Sequence, residues 1–204
     1  VEYSDKIVGK IIRKLNELGL ADNTILIFTG DNGTNTDITT QTKEGSYPGG
    51  KGHLQDNGTH VPLIIRWPQS GIKNQVSNNL VEFSDFLPTF TDATQVSVPK
   101  DIVGKSFFNL IAGQNYSPRS TVFVHYYAHP QKVNANNGCF IRTVDYKLYS
   151  DGRFFDMKND KWEKSQLNVN ALTDEQKSIY KMLKNELDKK EIWDFSKPHR
   201  IKNE

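Results

Sequence analysis

Between Ser4 and Leu18 the apolar residues Ile7, Val8, Ile11, Ile12, Leu15 and Leu18 return at intervals of three and four, with Lys10, Arg13, Lys14 and Glu17 on the other side. The spacing predicts an amphipathic helix, closed by Gly19 as a left-handed cap. The pattern then changes. Thr24-Ile25-Leu26-Ile27-Phe28-Thr29 is a continuous apolar run, which predicts a strand buried on both faces of a parallel sheet. Residues 30–60 are rich in Gly, Asn, Asp and Thr and predict a long ordered loop, a feature that in compact domains usually accompanies function. A second apolar strand runs from Val61 to Trp67 and ends at Pro68. Phe83 to Phe90 predicts a short helix or turn packed by aromatics, and Thr121 to Tyr127 a third strand.

After about residue 130 the segments Cys139 to Thr143, Lys147 to Ser150 and Phe154 to Met157 are short, with Asp- and Gly-bearing turns between them, and predict an antiparallel meander. A helix follows: Thr173 with Gln176 forms a capping box, and Ile179, Met182, Leu183 and Leu187 make the apolar stripe. Helix followed by apolar strand argues for an α/β layer in residues 1–130, and the later pattern for a small α+β unit in 131–204.

Charge changes this picture little. With 26 basic and 24 acidic side chains, no net field draws the chain to nucleic acid or an anionic membrane. No apolar run approaches the ~20 residues of a membrane-spanning helix. Cys139 is the single cysteine, so an internal disulfide framework is excluded. The sequence opens on a helical pattern at Val1 without an initiator Met, and the expectation is a piece of a larger domain.

The candidate chemistry begins at Asp31-Asn32-Gly33, directly after the first apolar strand, where α/β sheets hold ligands. A carboxylate beside an amide oxygen gives two hard donors, suited to Ca²⁺ or Mg²⁺; a histidine in the second place would favour zinc or manganese. Alone, the triplet is also a common turn. An EF-hand reading fails, because the sixth and twelfth loop positions, which should be Gly and Glu, are Thr36 and Thr42.

Context decides. The series strand, Asp31-Asn32-Gly33, long loop, Tyr47-Pro48-Gly49-Gly50-Lys51-Gly52, then Gly58-Thr59-His60-Val61-Pro62 leading into Leu63-Ile64-Ile65-Arg66-Trp67-Pro68, resembles the sulfatases of the alkaline-phosphatase-like superfamily. Asp85-Phe86-Leu87-Pro88-Thr89 is similar to that family's Asp-x-x-Pro-Thr segment, and Gly104-Lys105-Ser106-Phe107 to its Gly-x-Ser-Leu/Phe segment. Arg142 to Leu148 and Phe154-Phe155-Asp156 are similar to its C-terminal sheet. The resemblance implies that residues 1–130 are the C-terminal part of an α/β catalytic domain, and that 131–204 form an antiparallel sheet packed with a C-terminal helix. It implies Asp31 and Asn32 as metal ligands, Ca²⁺ ahead of Mg²⁺, and Lys51 as a catalytic group contacting sulfate. His53, two residues beyond Lys51, becomes a candidate substrate contact. His60 reads as structural, bonding loop backbone, and His125 and His129 as candidates for lining a cleft.

The resemblance further implies a formylglycine nucleophile made from a Cys/Ser-x-Pro/Ala/Ser-x-Arg motif. Cys139-Phe140-Ile141-Arg142-Thr143 is not that motif: the small residue is absent and the arginine one place early. The nucleophile is therefore expected in an N-terminal part of the same catalytic domain, and this chain alone is expected to be inactive. The implied substrates are sulfated glycans or aryl sulfates, and the implied location is periplasmic or secreted. Two rivals share the residues: a phosphate or phosphonate ester hydrolase of the same superfamily, and a non-catalytic glycan-binding module.

Overall fold

The computed structural model describes residues 2–98, 100–128 and 134–197. The chain divides into two compact units, one made of 1–29, 62–77 and 81–118, the other of 30–61, 78–80 and 119–204. These units cut the chain differently from the division at residue 130, which itself falls outside the described residues. The strand predicted at 121–127 pairs with the one after it, so it joins the second unit.

In the first unit the amphipathic spacing gives α1 (Glu2–Glu17), and Gly19 takes a left-handed φ of 67° as its cap residue. β1 (Leu26–Thr29) pairs with β4 (Leu63–Arg66), and the pairing is antiparallel, Phe28 opposite Ile64. The expected double burial of β1 is not found: Phe28 is 41% exposed and Ile64 60%. A continuous apolar run says that both faces want cover, but cover comes from neighbouring layers, and a two-stranded ladder supplies few of them.

The two motif segments of this unit turn out to clamp each other. Asp85 caps its own turn by accepting from Glu82 N–H at 2.9 Å, and its other oxygen accepts from Lys105 N–H at 2.7 Å. Thr89, in α3 (Phe86–Thr94), donates its hydroxyl to the Asp85 carbonyl at 2.6 Å and accepts from Phe107 N–H at 3.0 Å. Phe107 stands edge-on to Phe86, and a Cβ on Gly104 would lie 1.9 Å from the Ser84 carbonyl oxygen. Asp85 and Thr89 are thus buried polar groups with full partners, and their role is to close the fold.

The second unit is built on a sheet in the order β5-β6-β7-β8, from Val122–Tyr126, Gly138–Arg142, Tyr146–Tyr149 and Phe154–Asp156, all antiparallel. Alternation sends successive side chains to opposite faces. Cys139, Ile141, Leu148 and Phe154 pack with Leu172, Leu183 and Leu187, the last two on α5 (Asp174–Leu187). Phe140, Tyr149 and Phe155 form a separate cluster with Met157 and Leu54, so the long loop rests on the sheet through Leu54. The capping box is present: Thr173 Oγ1 accepts from Gln176 N–H at 3.2 Å and Gln176 Oε1 accepts from Thr173 N–H at 3.0 Å. Replacing Thr173 by alanine is expected to lower stability by ~1 kcal/mol, read as a lower thermal midpoint; an unchanged midpoint would show the cap to be idle.

Candidate functional site

The long loop holds a small hairpin, β2 (Thr39–Thr42) and β3 (Gly45–Pro48), and one helical turn, α2 (Asp56–Thr59). Asn35 starts the hairpin: its side-chain oxygen accepts from Asp37 N–H at 2.9 Å and its carbonyl from Ile38 N–H at 3.0 Å. Tyr47 packs against Trp162 with ring centroids 5.2 Å apart, which ties the hairpin to the chain after β8. Burial, and then the Asp56 carboxylate, push the Tyr47 phenol pKa up.

Behind the hairpin the backbone is laced together. Gly33 N–H donates to the Gly58 carbonyl at 2.9 Å, Lys51 N–H to Thr34 O at 2.9 Å, and His53 N–H to Gly50 O at 2.8 Å. Asn57 Nδ2 donates to Pro48 O at 3.2 Å. The approaches exclude side chains: a Cβ at Gly33 would stand 1.9 Å from Asn57 O, at Gly49 1.9 Å from Asn35 O, and at Gly58 2.2 Å from His53 O. The glycines around Lys51 and Asp31 therefore serve close packing of one backbone strand on another.

The lacing brings the predicted residues together. Asp31 and Asn32 follow β1 and its exit at Gly30, and Lys51 is bonded through its own N–H to the residue after Gly33. Asp31, Lys51 and His53 are exposed and Asn32 half-buried. No hydrogen bond or ion pair among the described residues occupies the side chain of Asp31, Asn32, Lys51 or His53. Asp31 and Asn32 thus present two uncommitted hard oxygens on adjacent residues, a donor pair that fits a divalent cation of the calcium or magnesium type. Among the described residues no three His, Cys, Asp or Glu side chains gather to hold a metal ion.

The histidines separate. His60, expected to bond loop backbone, instead points outward with its side chain 76% exposed and Nδ1 3.9 Å from Asp56 Oδ2. His125 lies among the rings of Trp193 and Phe195, at 5.3 and 5.1 Å. His129 is outside the described residues.

Sequence reasoning missed the charged residues that hold this loop from below. Arg142 binds Asp56, and Lys147, wholly buried, binds Leu54 O and Glu163. A signal was present in β7: in Tyr146-Lys147-Leu148-Tyr149 the lysine shares its face with Tyr149, and in an alternating strand that face is interior here.

Comparison with known proteins places the chain. The family model described as "N-sulphoglucosamine sulphohydrolase, C-terminal" matches residues 50–192, and the model described as "Sulfatase" matches residues 1–96. An N-acetylglucosamine-6-O-sulfatase of Bacteroides thetaiotaomicron is 29% identical over 97% of this chain and 37% of its own length. The mouse steryl-sulfatase is 31% identical over 72% of this chain and 25% of its own length. Among solved structures, a protein in complex with its substrate D-glucosamine-2-N,6-O-disulfate superposes with a TM-score of 0.67 at 26% identity, covering 90% of this chain and 38% of that one. A Pseudoalteromonas sulfatase shares the fold, with a TM-score of 0.64 at 22% identity over 90% of this chain and 40% of that one. The chain therefore spans well under half the length of these relatives.

Proposed function

Because this chain belongs to the sulfatase family, as a C-terminal portion with the family's alkaline-phosphatase-like α/β fold, we propose that the protein is a sulfuric ester hydrolase to whose active site the chain contributes Asp31, Asn32 and Lys51. Sulfatases generally use a metal and a formylglycine, and these supply the nucleophile and its activation. The observation that supports the assignment is the hydrogen bond from Lys51 N–H to Thr34 O, which ties the backbone of Lys51 to the residue after the Asp31-Asn32-Gly33 turn, the side chains of Asp31, Asn32 and Lys51 being uncommitted among the described residues.

Asp31 and Asn32 serve as ligands to Ca²⁺, whose flexible shell of about six to eight oxygens accepts an amide oxygen and an incomplete local set more readily than the strict octahedron of Mg²⁺. Lys51 binds a sulfate oxygen. Its positive charge opposes the negative charge that grows on the sulfuryl oxygens and leaving group as the S–O bond breaks. His53, exposed and two residues on, contacts the substrate beyond the sulfate. The names of the relatives favour a sulfated amino sugar within a glycan as substrate.

The remaining ligands and the nucleophile come from an N-terminal part of the same domain. The half-open apolar positions of the first unit, Phe28, Ile64, Phe83, Leu87 and Phe90, support that reading, since a covering layer would bury them. No helix among the described residues is long and apolar enough to cross a membrane, and export to a calcium-rich periplasm or exterior suits the proposed ion.

The full-length protein is expected to hydrolyse 4-nitrophenyl sulfate, to lose turnover in EDTA and to regain it with Ca²⁺, while the 204-residue chain alone gives none. Robust turnover by this chain alone would overturn the assignment of the nucleophile to another segment.

A further inference from the structure

Four charged side chains of the second unit are gathered where the long loop meets the sheet. Lys147 on β7 is fully buried, and its ammonium donates to Leu54 O at 2.6 Å and to Glu163 Oε1 at 2.7 Å, with Asp56 Oδ1 at 3.8 Å and the Phe140 ring centroid at 3.9 Å. Arg142, at the end of β6, donates from Nη1 to both Asp56 oxygens at 2.7 and 2.8 Å, and from Nε and Nη2 to the carbonyls of Thr143 and Val144. The Tyr149 hydroxyl donates to the second oxygen of Glu163. Two cations and two carboxylates balance. Such a buried set is a poor stabiliser compared with apolar packing of the same volume, because each ion gives up its hydration. Its use is better sought in what it grips.

Through it Arg142 and Lys147 hold the long loop at Asp56 and Leu54. Leu54 directly follows the Lys51–His53 segment, and Asp56 opens the helical turn that carries Asn57 and Gly58. Gly58 accepts from Gly33 N–H, and its Cα lies against the carbonyls of Gly50 and His53. One clamp thus stands a few residues from both halves of the proposed site.

We propose that Lys147 and Arg142 are positioning residues, which fix Leu54 and Asp56 so that Gly58 and Gly50 hold the Asp31-Asn32-Gly33 turn and Lys51 in one register. The proposal rests on the sulfatase reading of Lys51. It extends that reading to residues that touch neither substrate nor metal.

The test uses the full-length protein with 4-nitrophenyl sulfate and Ca²⁺, and four variants: Lys147→Met, the charge-balanced Lys147→Met/Glu163→Gln, Arg142→Lys and Lys51→Ala. Arg142→Lys keeps the charge but cannot bond Asp56 and the Thr143 and Val144 carbonyls at once, as the planar guanidinium does, and so probes the clamp with the least risk to folding. At a temperature where calorimetry finds them folded, the clamp variants should lose about tenfold or more in kcat with little change in KM, as expected for a catalytic group displaced by a fraction of an ångström. Hydrogen exchange should quicken at the amides of Gly33, Lys51 and His53 while Leu183 and Leu187 on α5 keep parent protection, a pattern that general destabilisation would not give. Parent kcat or parent exchange in a folded clamp variant overturns the proposal while leaving the role of Lys51 intact. If Lys51→Ala turns over like the parent, the sulfatase reading of Lys51 falls, and the exchange measurement alone then decides whether the clamp orders the loop.

Discussion

Replacing Lys51 by alanine in the full-length protein is expected to lower kcat/KM for a sulfate ester by about 10²- to 10³-fold, the usual cost of losing one donor aimed at charge that develops in the transition state. The size follows from what surrounds the residue. Its backbone is fixed by the bond to Thr34, and its ammonium is committed to no carboxylate among the described residues. Stability should hardly move, because the side chain is exposed and changes at such sites cost within ~0.5 kcal/mol. Lys51→Arg should recover little, since a planar fork on a longer stem does not reproduce a compact point charge at one oxygen. Lys181, exposed on α5, is the control, and its alanine variant should match the parent rate. A Lys51→Ala enzyme within threefold of its parent would remove Lys51 from the site.

The contrast between Lys51 and Lys147 shows where sequence reading reaches its limit. Both are lysines near glycines or aromatics, and a lysine is by default solvated. Lys51 stands out as a candidate because it lies in an ordered series of motifs. Lys147 had only the alternation of β7 as a signal, because its partners Leu54 and Glu163 stand 93 and 16 residues away and meet it only in the fold. Elements governed by local periodicity, α1 with its Gly19 cap, α5 with its capping box and the short strands of the meander, could be read directly. β1 could be recognised as a strand, but its pairing with β4 in the antiparallel sense could not, since an apolar run does not name its neighbour. The motif segments at Asp85 and Gly104 were legible as a pattern, yet their purpose, a hydrogen-bonded clamp between residues twenty apart, needed coordinates. The glycines of the long loop marked it as a loop without showing which backbone each would pack against.

That last gap yields the second large effect. Gly33→Ala is expected to abolish turnover, with a loss of at least about 10²-fold from misplacing the reacting groups, and to cost the second unit ~1–3 kcal/mol through overpacking. The added Cβ would sit 1.9 Å from the Asn57 carbonyl oxygen and 2.8 Å from Gly58 Cα, and these are backbone atoms with no rotamer to give way. Relief requires parting the Gly33 to Gly58 hydrogen bond, which would carry Asp31 and Asn32 away from Lys51. Gly45→Ala provides the comparison. Gly45 turns the exposed hairpin at φ 113°, with nothing within 4 Å of the new Cβ, so the cost there is conformational. That strain is also ~1–3 kcal/mol, but it can relax within a hairpin whose strands are exposed throughout. Both variants should therefore melt earlier, and only Gly33→Ala should lose activity and Ca²⁺ binding by calorimetry. Parent turnover in folded Gly33→Ala would mean that the register of the Asp31-Asn32-Gly33 turn against Gly58 does not govern the chemistry, and equal losses in both variants would mean that stability alone does.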